Sequence, residues 1–315
     1  MSTTEQSKIE WTHYTFNPWR GCTKVSPGCA NCYAEKMSGR NPKALGIWGK
    51  DGTRAIAAES YWRGPIKWNE EAKQAGERRR VFCASLADVF ESPDTMPAES
   101  VKPVRAARLR LFGLIQATPY LDWLLLTKRP ELIMPLIEQA ALDDRPGDTC
   151  EMTNGWLKGW PPENVWLGTS VEDQKRADER IPHLLRCPAA VRFLSCEPLL
   201  GPIDLRHVDS GENIDSLYGW YPNRGPEGLN GNRIDWVIIG GESGPGARSM
   251  HPDWVRGIRD QCVAAGVPFF FKQWGEWQAI SGMANTDHLY VSRRKAEPGQ
   301  DQSALDESYG RVCTV

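Results

Sequence analysis

No stretch of this chain approaches the ~20 consecutive apolar residues of a membrane-crossing helix. The polar opening MSTTEQSK also lacks the apolar centre of a signal peptide. Together these absences predict a cytoplasmic protein. Excess charge is missing too: 38 basic against 40 acidic residues leave a formal net charge of -2. No global electrostatic footprint for nucleic acid exists, so such a substrate would have to be met by a local basic patch. Internal repeats, low-complexity tracts, a P-loop and a nucleophile elbow are absent. The run GGESGPG at 240–246 is too irregular for a dinucleotide-binding fingerprint.

Cysteine and tryptophan are not scarce. Nine cysteines is an odd count, and six of them (Cys83, Cys150, Cys187, Cys196, Cys262 and Cys313) are scattered singly. Disulfide frameworks belong to small secreted domains, so these read as reduced thiols. Cys262, on the apolar face of an expected helix, reads as a small core hydrophobe. The other three crowd one loop, GCTKVSPGCANCY at 21–33, with six residues between Cys22 and Cys29 and two between Cys29 and Cys32. Most of the 14 tryptophans read as packing, although Trp11 and Trp19 flank the start of this loop.

At 315 residues the chain can bury one large core or two modest ones. Seven short apolar runs share one grammar, at 12–19, 80–88, 122–129, 164–172, 191–198, 235–242 and 267–273. Most end in polar residues and pass into a helical pattern, with helices expected at 33–38, 99–117, from Pro130, from Asp173 and at 252–262. Strands alternating with helices predict a parallel sheet. The expected fold is α/β, a partial or full TIM-like barrel of about six or seven βα units. The runner-up is a doubly wound open sheet. What favours the barrel is that chemistry-bearing residues stand at nearly every strand end: Ser85 and Asp88, Lys128 and Arg129, Ser170 and Glu172, Glu197, Glu242, Lys272 and Gln273. The expected barrel domain is 1–280, interrupted at 209–233 by an insertion rich in Gly, Asn, Pro and Asp, read as a lid, binding loop or disordered insertion. A polar tail fills 281–315.

Thiolates are soft ligands, and Pro27 and Gly28 can bend the loop back so that Cys29 approaches Cys22. Three readings of the cysteines stand side by side: an iron–sulfur cluster with one open iron, a zinc site completed by His13 or another cysteine, and incidental clustering. The basic run Arg78, Arg79 and Arg80 reads as a solvated charge run or a phosphate contact. Lys128 and Arg129 read as a solvated strand end or an anion site. Glu197 reads as a carboxylate at the barrel mouth, and Gly240, Gly241 and Glu242 as a tight turn with a capping acid or a ligand-contacting element.

Several segments together are distinctive: WT at 11–12, FNP at 16–18, SPGCANCYA at 26–34, SLADVF at 85–90, LTKRP at 126–130 and GGESG at 240–244. They resemble the phage-associated three-cysteine-motif family of unknown function, over about 9–277. That family in turn resembles radical SAM enzymes, whose usual first cysteine gap is three residues rather than six. The resemblance implies a [4Fe-4S] cluster on Cys22, Cys29 and Cys32 whose open iron binds S-adenosylmethionine. Asp88, Glu172, Glu197 and Glu242 then become candidates for its cationic groups, and Ser85, Ser170, Lys128 and Arg129 for its carboxylate. Gly240, Gly241 and Glu242 are similar to the glycine–glycine–glutamate element that contacts the SAM amino group in that superfamily. A nucleic acid, or an enzyme acting on one, is the implied partner. The alternatives are a zinc-stabilised nucleic-acid-binding module and a non-catalytic partner protein.

Overall fold

The β-rich apolar runs become seven strands in a computed structural model, which describes residues 7, 9–143, 151–209, 211, 213–221, 231–279, 289–292 and 313–314. The strands are β1 (Tyr14–Phe16), β2 (Arg79–Cys83), β3 (Leu121–Thr127), β4 (Val165–Ser170), β5 (Val191–Cys196), β6 (Trp236–Gly240) and β7 (Phe269–Gln273). All pair in parallel and in chain order, β1 through β7. The sheet curls into a half-barrel, which is the expected partial TIM-like architecture. Sequential order without a reversal removes the doubly wound alternative.

Helices Gly64–Ala75, Ala98–Gln116, Ile133–Asp143, Gln174–Arg186 and Pro252–Ala265 return the chain between strands. Their apolar faces meet alternate strand residues such as Val81, Trp123, Leu125, Leu167, Leu194, Val237 and Ile239 in one large core. Cys262 lies fully buried in it, as expected. The opposite residues of the strands point to the concave face, because side chains alternate along a strand.

Two local features depart from the sequence reading, and a third adds to it. The run 12–19 breaks at Asn17 and Pro18: β1 ends at Phe16, and Trp19–Arg20 pairs antiparallel with Ala55–Ile56. A proline cannot donate to the ladder, so the chain leaves the sheet there. Helix Gly64–Ala75 was unforeseen, although Pro65 opens it and Gly76, at φ 67°, closes it in the left-handed conformation. The described part of the expected insertion packs against the main body of the fold. Ile214, Leu217 and Tyr221 are buried in the main core, held by bridges Val208–Ile214 and Asp215–Trp220. The rest of it, 210, 212 and 222–230, lies outside the described residues, as does most of the polar tail. Trp277–Ala279, Leu289–Ser292 and Cys313–Thr314 pair as short antiparallel strands.

Candidate functional site

The concave face changes character along the strands. Its lower layer is apolar: Phe82, Leu124, Phe193 and Ile238 cluster with Trp11, and Trp166, Trp236 and Phe270 pack against them. Trp11 precedes β1, so it lies at the N-terminal ends of the strands, its ring 4.7 Å from Phe82 and 6.2 Å from Trp236. Gly168 stands where any Cβ would collide with the Phe193 ring, so a glycine there admits the aromatic layer. Two to four residues further along several strands the same face turns polar, with Lys128, Ser170, Ser195, Glu197 and Lys272. Lys128 Nζ donates to Ser170 Oγ at 3.0 Å, Lys272 Nζ lies 3.0 Å from Glu197 Oε1, and Ser195 Oγ donates to Glu197 Oε2 at 3.4 Å. Gly240 leaves the space that the Glu197 carboxylate fills, since a Cβ there would overlap Glu197 Oε1. This polar rim is at the C-terminal ends of the strands, where barrels place their chemistry.

The cysteine loop follows β1 and crosses the same end of the half-barrel, tied to the ends of four strands. After β2, Leu86 accepts from the Gly21 N–H at 3.0 Å, and the Ser85 carbonyl accepts from Tyr33 Oη at 2.8 Å. Asn17 braces this corner by donating to Ser85 Oγ and accepting from the Leu86 N–H. After β3, Arg129 donates to the Thr23 carbonyl at 2.7 Å. After β4, Glu172 Oε1 accepts from the Gly28 N–H at 3.2 Å while Oε2 accepts from Arg180 at 2.8 Å. After β6, Glu242 accepts from Asn31 Nδ2 at 2.9 Å and from Arg248, whose guanidinium also donates to the Pro27 carbonyl.

These contacts set the carboxylates' protonation. Burial pushes the Glu172 carboxyl up, but Arg180, Lys128 and the bonds from the loop outweigh it, and it rests below its ordinary value. Burial likewise pushes the Glu242 carboxyl up, but hydrogen bonds from Arg248 and Asn31 outweigh it, and it too is lowered. Both are therefore ionised anchors of the loop at neutral pH.

Beneath Cys22 lies a buried charge network. Arg54 and Glu91 have fully buried side chains and meet in a two-pronged pair at 2.8 and 2.7 Å. Arg54 also donates to Thr23 Oγ1 at 2.8 Å. Arg129 pairs with Asp88 at 2.8 Å, lies 4.0 Å from Glu91 and reaches Cys22 Sγ at 3.7 Å. Asp88 accepts further bonds from Thr127 Oγ1, the Phe90 N–H and the Lys128 N–H. Burial pushes the Cys22 thiol up to about 12, reinforced by Glu91 and Asp88 and opposed by Arg129. Burial also raises Cys32.

The sequence-picked residues thus fall into two sets. Lys128, Ser170, Glu197 and Gly240 line the concave rim. Arg129, Glu172 and Glu242 bond to the cysteine loop directly, Ser85 does so through its carbonyl, and Asp88 holds Arg129 in place. Gly241 has a structural reason of its own: a Cβ would collide with the Trp274 carbonyl oxygen. Cys22, Cys29 and Cys32 are all half-buried free thiols within residues 22–32. Among the described residues no three His, Cys, Asp or Glu side chains are already closed into a metal-binding group. His13 does not join the cysteines. Its Nδ1 accepts from the Arg80 N–H at the start of β2, the opposite end of the sheet. Cys83, Cys187, Cys196 and Cys262 are buried in the core, and Cys150 lies outside the described residues. Sequence reasoning missed Asn31, Arg54, Glu91, Arg180, Ser195 and Arg248. Asn31, between two cysteines, and Ser195, two residues before Glu197 on a strand, carried a local signal; Arg54 carried none.

Fold and site together define a parallel half-barrel protein with a three-cysteine loop braced across its mouth. The chain belongs to the family described as protein of unknown function DUF5131, whose model matches residues 6–308. No curated protein matches it. Among solved structures, it is similar to a cysteine-to-serine mutant of spore photoproduct lyase, at 12% identity over 85% of this chain and 78% of that one, with a TM-score of 0.45. It is also similar to a tyrosine-to-phenylalanine mutant of the same lyase, at 12% identity over 97% and 74%, with a TM-score of 0.41.

Proposed function

We propose that this chain is a radical-SAM-type iron–sulfur enzyme, with a [4Fe-4S] cluster on Cys22, Cys29 and Cys32. The observation that carries the reading is the position of the three thiols, on a loop braced by four strand ends directly above a polar concave rim. The donor set fits the group. Three soft thiol donors with no fourth protein ligand beside them among the described residues suit a cluster with an open iron, whereas a closed structural zinc site wants four. His13, the nearest sequence candidate for a fourth ligand, is bonded at the other end of the sheet. When bound, such a cluster supplies one electron for reductive cleavage of S-adenosylmethionine; the chain's residues bind, orient and exclude water.

Lys128 and Ser170 are suited to a carboxylate, since an ammonium and a hydroxyl stand 3.0 Å apart on the rim. Glu197, held by Lys272 and Ser195, is suited to a cationic amino or sulfonium group. The apolar layer below keeps water from the floor. We assign Asp88, Arg129, Glu172 and Glu242 to holding the loop rather than to ligand contact, because their polar atoms are already bonded to it or to one another. The substrate class expected from the sequence resemblance is a nucleic acid or an enzyme acting on one.

Anaerobic reconstitution with iron and sulfide, followed by absorption and EPR spectra, tests the reading. A brown protein that yields 5′-deoxyadenosine on addition of SAM and reductant is expected, with nucleic acid as the first co-substrate to add. A colourless protein holding stoichiometric zinc would overturn it. A cluster unaltered in Cys29→Ala would overturn the ligand assignment.

A further inference from the structure

Cys22 differs from its two companions in its surroundings. Among the described residues it alone of the three accepts a hydrogen bond from a charged side chain, that of Arg129, with Nη1 3.7 Å from the sulfur. Cys29 has only the Ser26 hydroxyl, at 3.9 Å. Arg129 is itself 3% exposed, so its charge acts with little screening by water. Its orientation is fixed on three sides, by Asp88 at 2.8 Å, by the Thr23 carbonyl at 2.7 Å and by Glu91 at 4.0 Å. A planar guanidinium meets a carboxylate, a carbonyl and a sulfur along fixed directions of one rigid fork, whereas an ammonium carries its three donors on a flexible stem that fixes none of them.

From this arrangement we infer that Arg129 is a positioning residue that sets the reduction potential of the cluster through Cys22, with Asp88 as its counterweight. The inference rests on the cluster reading above. Reduction adds an electron to the cluster, and a cation donating to a ligand sulfur stabilises that added charge. Arg129 therefore raises the potential. Asp88, by neutralising Arg129, limits the rise. The two residues act in opposite directions on the electron while acting in the same direction on the loop, which Arg129 holds directly and Asp88 holds through Arg129. That contrast separates tuning from a merely structural role.

The test is an EPR-monitored redox titration of the reconstituted full chain, with iron and sulfide content measured alongside. Arg129→Gln is expected to lower the midpoint potential by about tenfold in the reduction equilibrium, ~59 mV for one electron. Asp88→Asn is expected to raise it. Arg129→Lys, which keeps the charge but not the fork, is expected to shift it less than Arg129→Gln. If Arg129→Gln does not load a cluster, the opposed shifts of Asp88→Asn and Arg129→Lys decide the matter. Potentials that stay at the wild-type value, or that all move the same way, overturn the inference while leaving the cluster in place. A wild-type protein that binds no cluster overturns the function proposed above and this inference with it.

Discussion

The Glu172 carboxylate accepts the backbone N–H of Gly28 at 3.2 Å, joining the end of β4 to the middle of the cysteine loop across 144 positions of chain. The approach is close enough that a Cβ on Gly28 would sit 3.0 Å from the carboxyl carbon, so the absence of a side chain at 28 is what lets the two meet. Arg180 closes the other oxygen at 2.8 Å. The loop is therefore clamped by an ionised group whose own charge is compensated from beneath.

Removing that clamp leaves a buried cation without its partner. Glu172→Ala is expected to lower stability by about 3–5 kcal/mol, read from urea unfolding of the metal-free protein. Glu172→Gln, which keeps an acceptor for Gly28, should cost less. Equal losses for the two variants would show that the charge on Glu172 is unimportant.

Gly240 and Glu197 compete for one volume on the concave rim. Gly240→Ala is expected to displace the Glu197 carboxylate from Lys272 and to cost about 1–3 kcal/mol from overpacking. In a Glu197→Ala background the same change should be tolerated, giving a coupling of roughly 0.5–3 kcal/mol in a double-mutant cycle. Additive effects would refute the contact.

Acid should loosen the loop. Glu172 and Glu242 both have lowered folded pKa values, so the stability they contribute is fully present above the unfolded carboxyl value of about 4.3 and is lost as pH falls through their folded values. Denaturation of the metal-free protein between pH 6 and pH 3 should show this loss. The variant Glu172→Gln with Glu242→Gln should flatten the acid limb, and an unchanged limb would refute the assignment.

The Arg54–Glu91 pair is fully buried on both sides, so its halves are not interchangeable with their absence. Arg54→Met should cost about 3–5 kcal/mol because the buried Glu91 carboxyl loses its principal partner. Replacing both with apolar residues should recover much of that loss. Recovery is read as the difference in unfolding midpoint between the single and the double variant.

The strands were legible because each is an apolar run that stops abruptly at a polar residue, as Leu126 and Thr127 stop at Lys128. The same stops placed Lys128, Ser170 and Glu197 at one end of the sheet. The distinction between rim and loop anchor was not legible. It depends on which face a residue takes after its strand has ended, where the alternation of two no longer applies: Lys128 turns inward and Arg129 outward. Contacts such as Arg54 with Glu91 or Glu172 with Gly28 join segments far apart in sequence and leave no local periodicity. One correction was available in principle. His13 precedes β1 and the cysteines follow it, so a single strand already separates them by its own length.

The aromatic layer beneath the rim, with Trp11 at its base, makes the concave face a blind recess rather than a tunnel. Among the described residues the aromatic layer closes the floor, so a small molecule would approach it from the rim. Incoming and outgoing molecules then share a doorway overhung by the 22–32 loop. An occupant seated under that loop would therefore stand in the way of departure as much as of arrival.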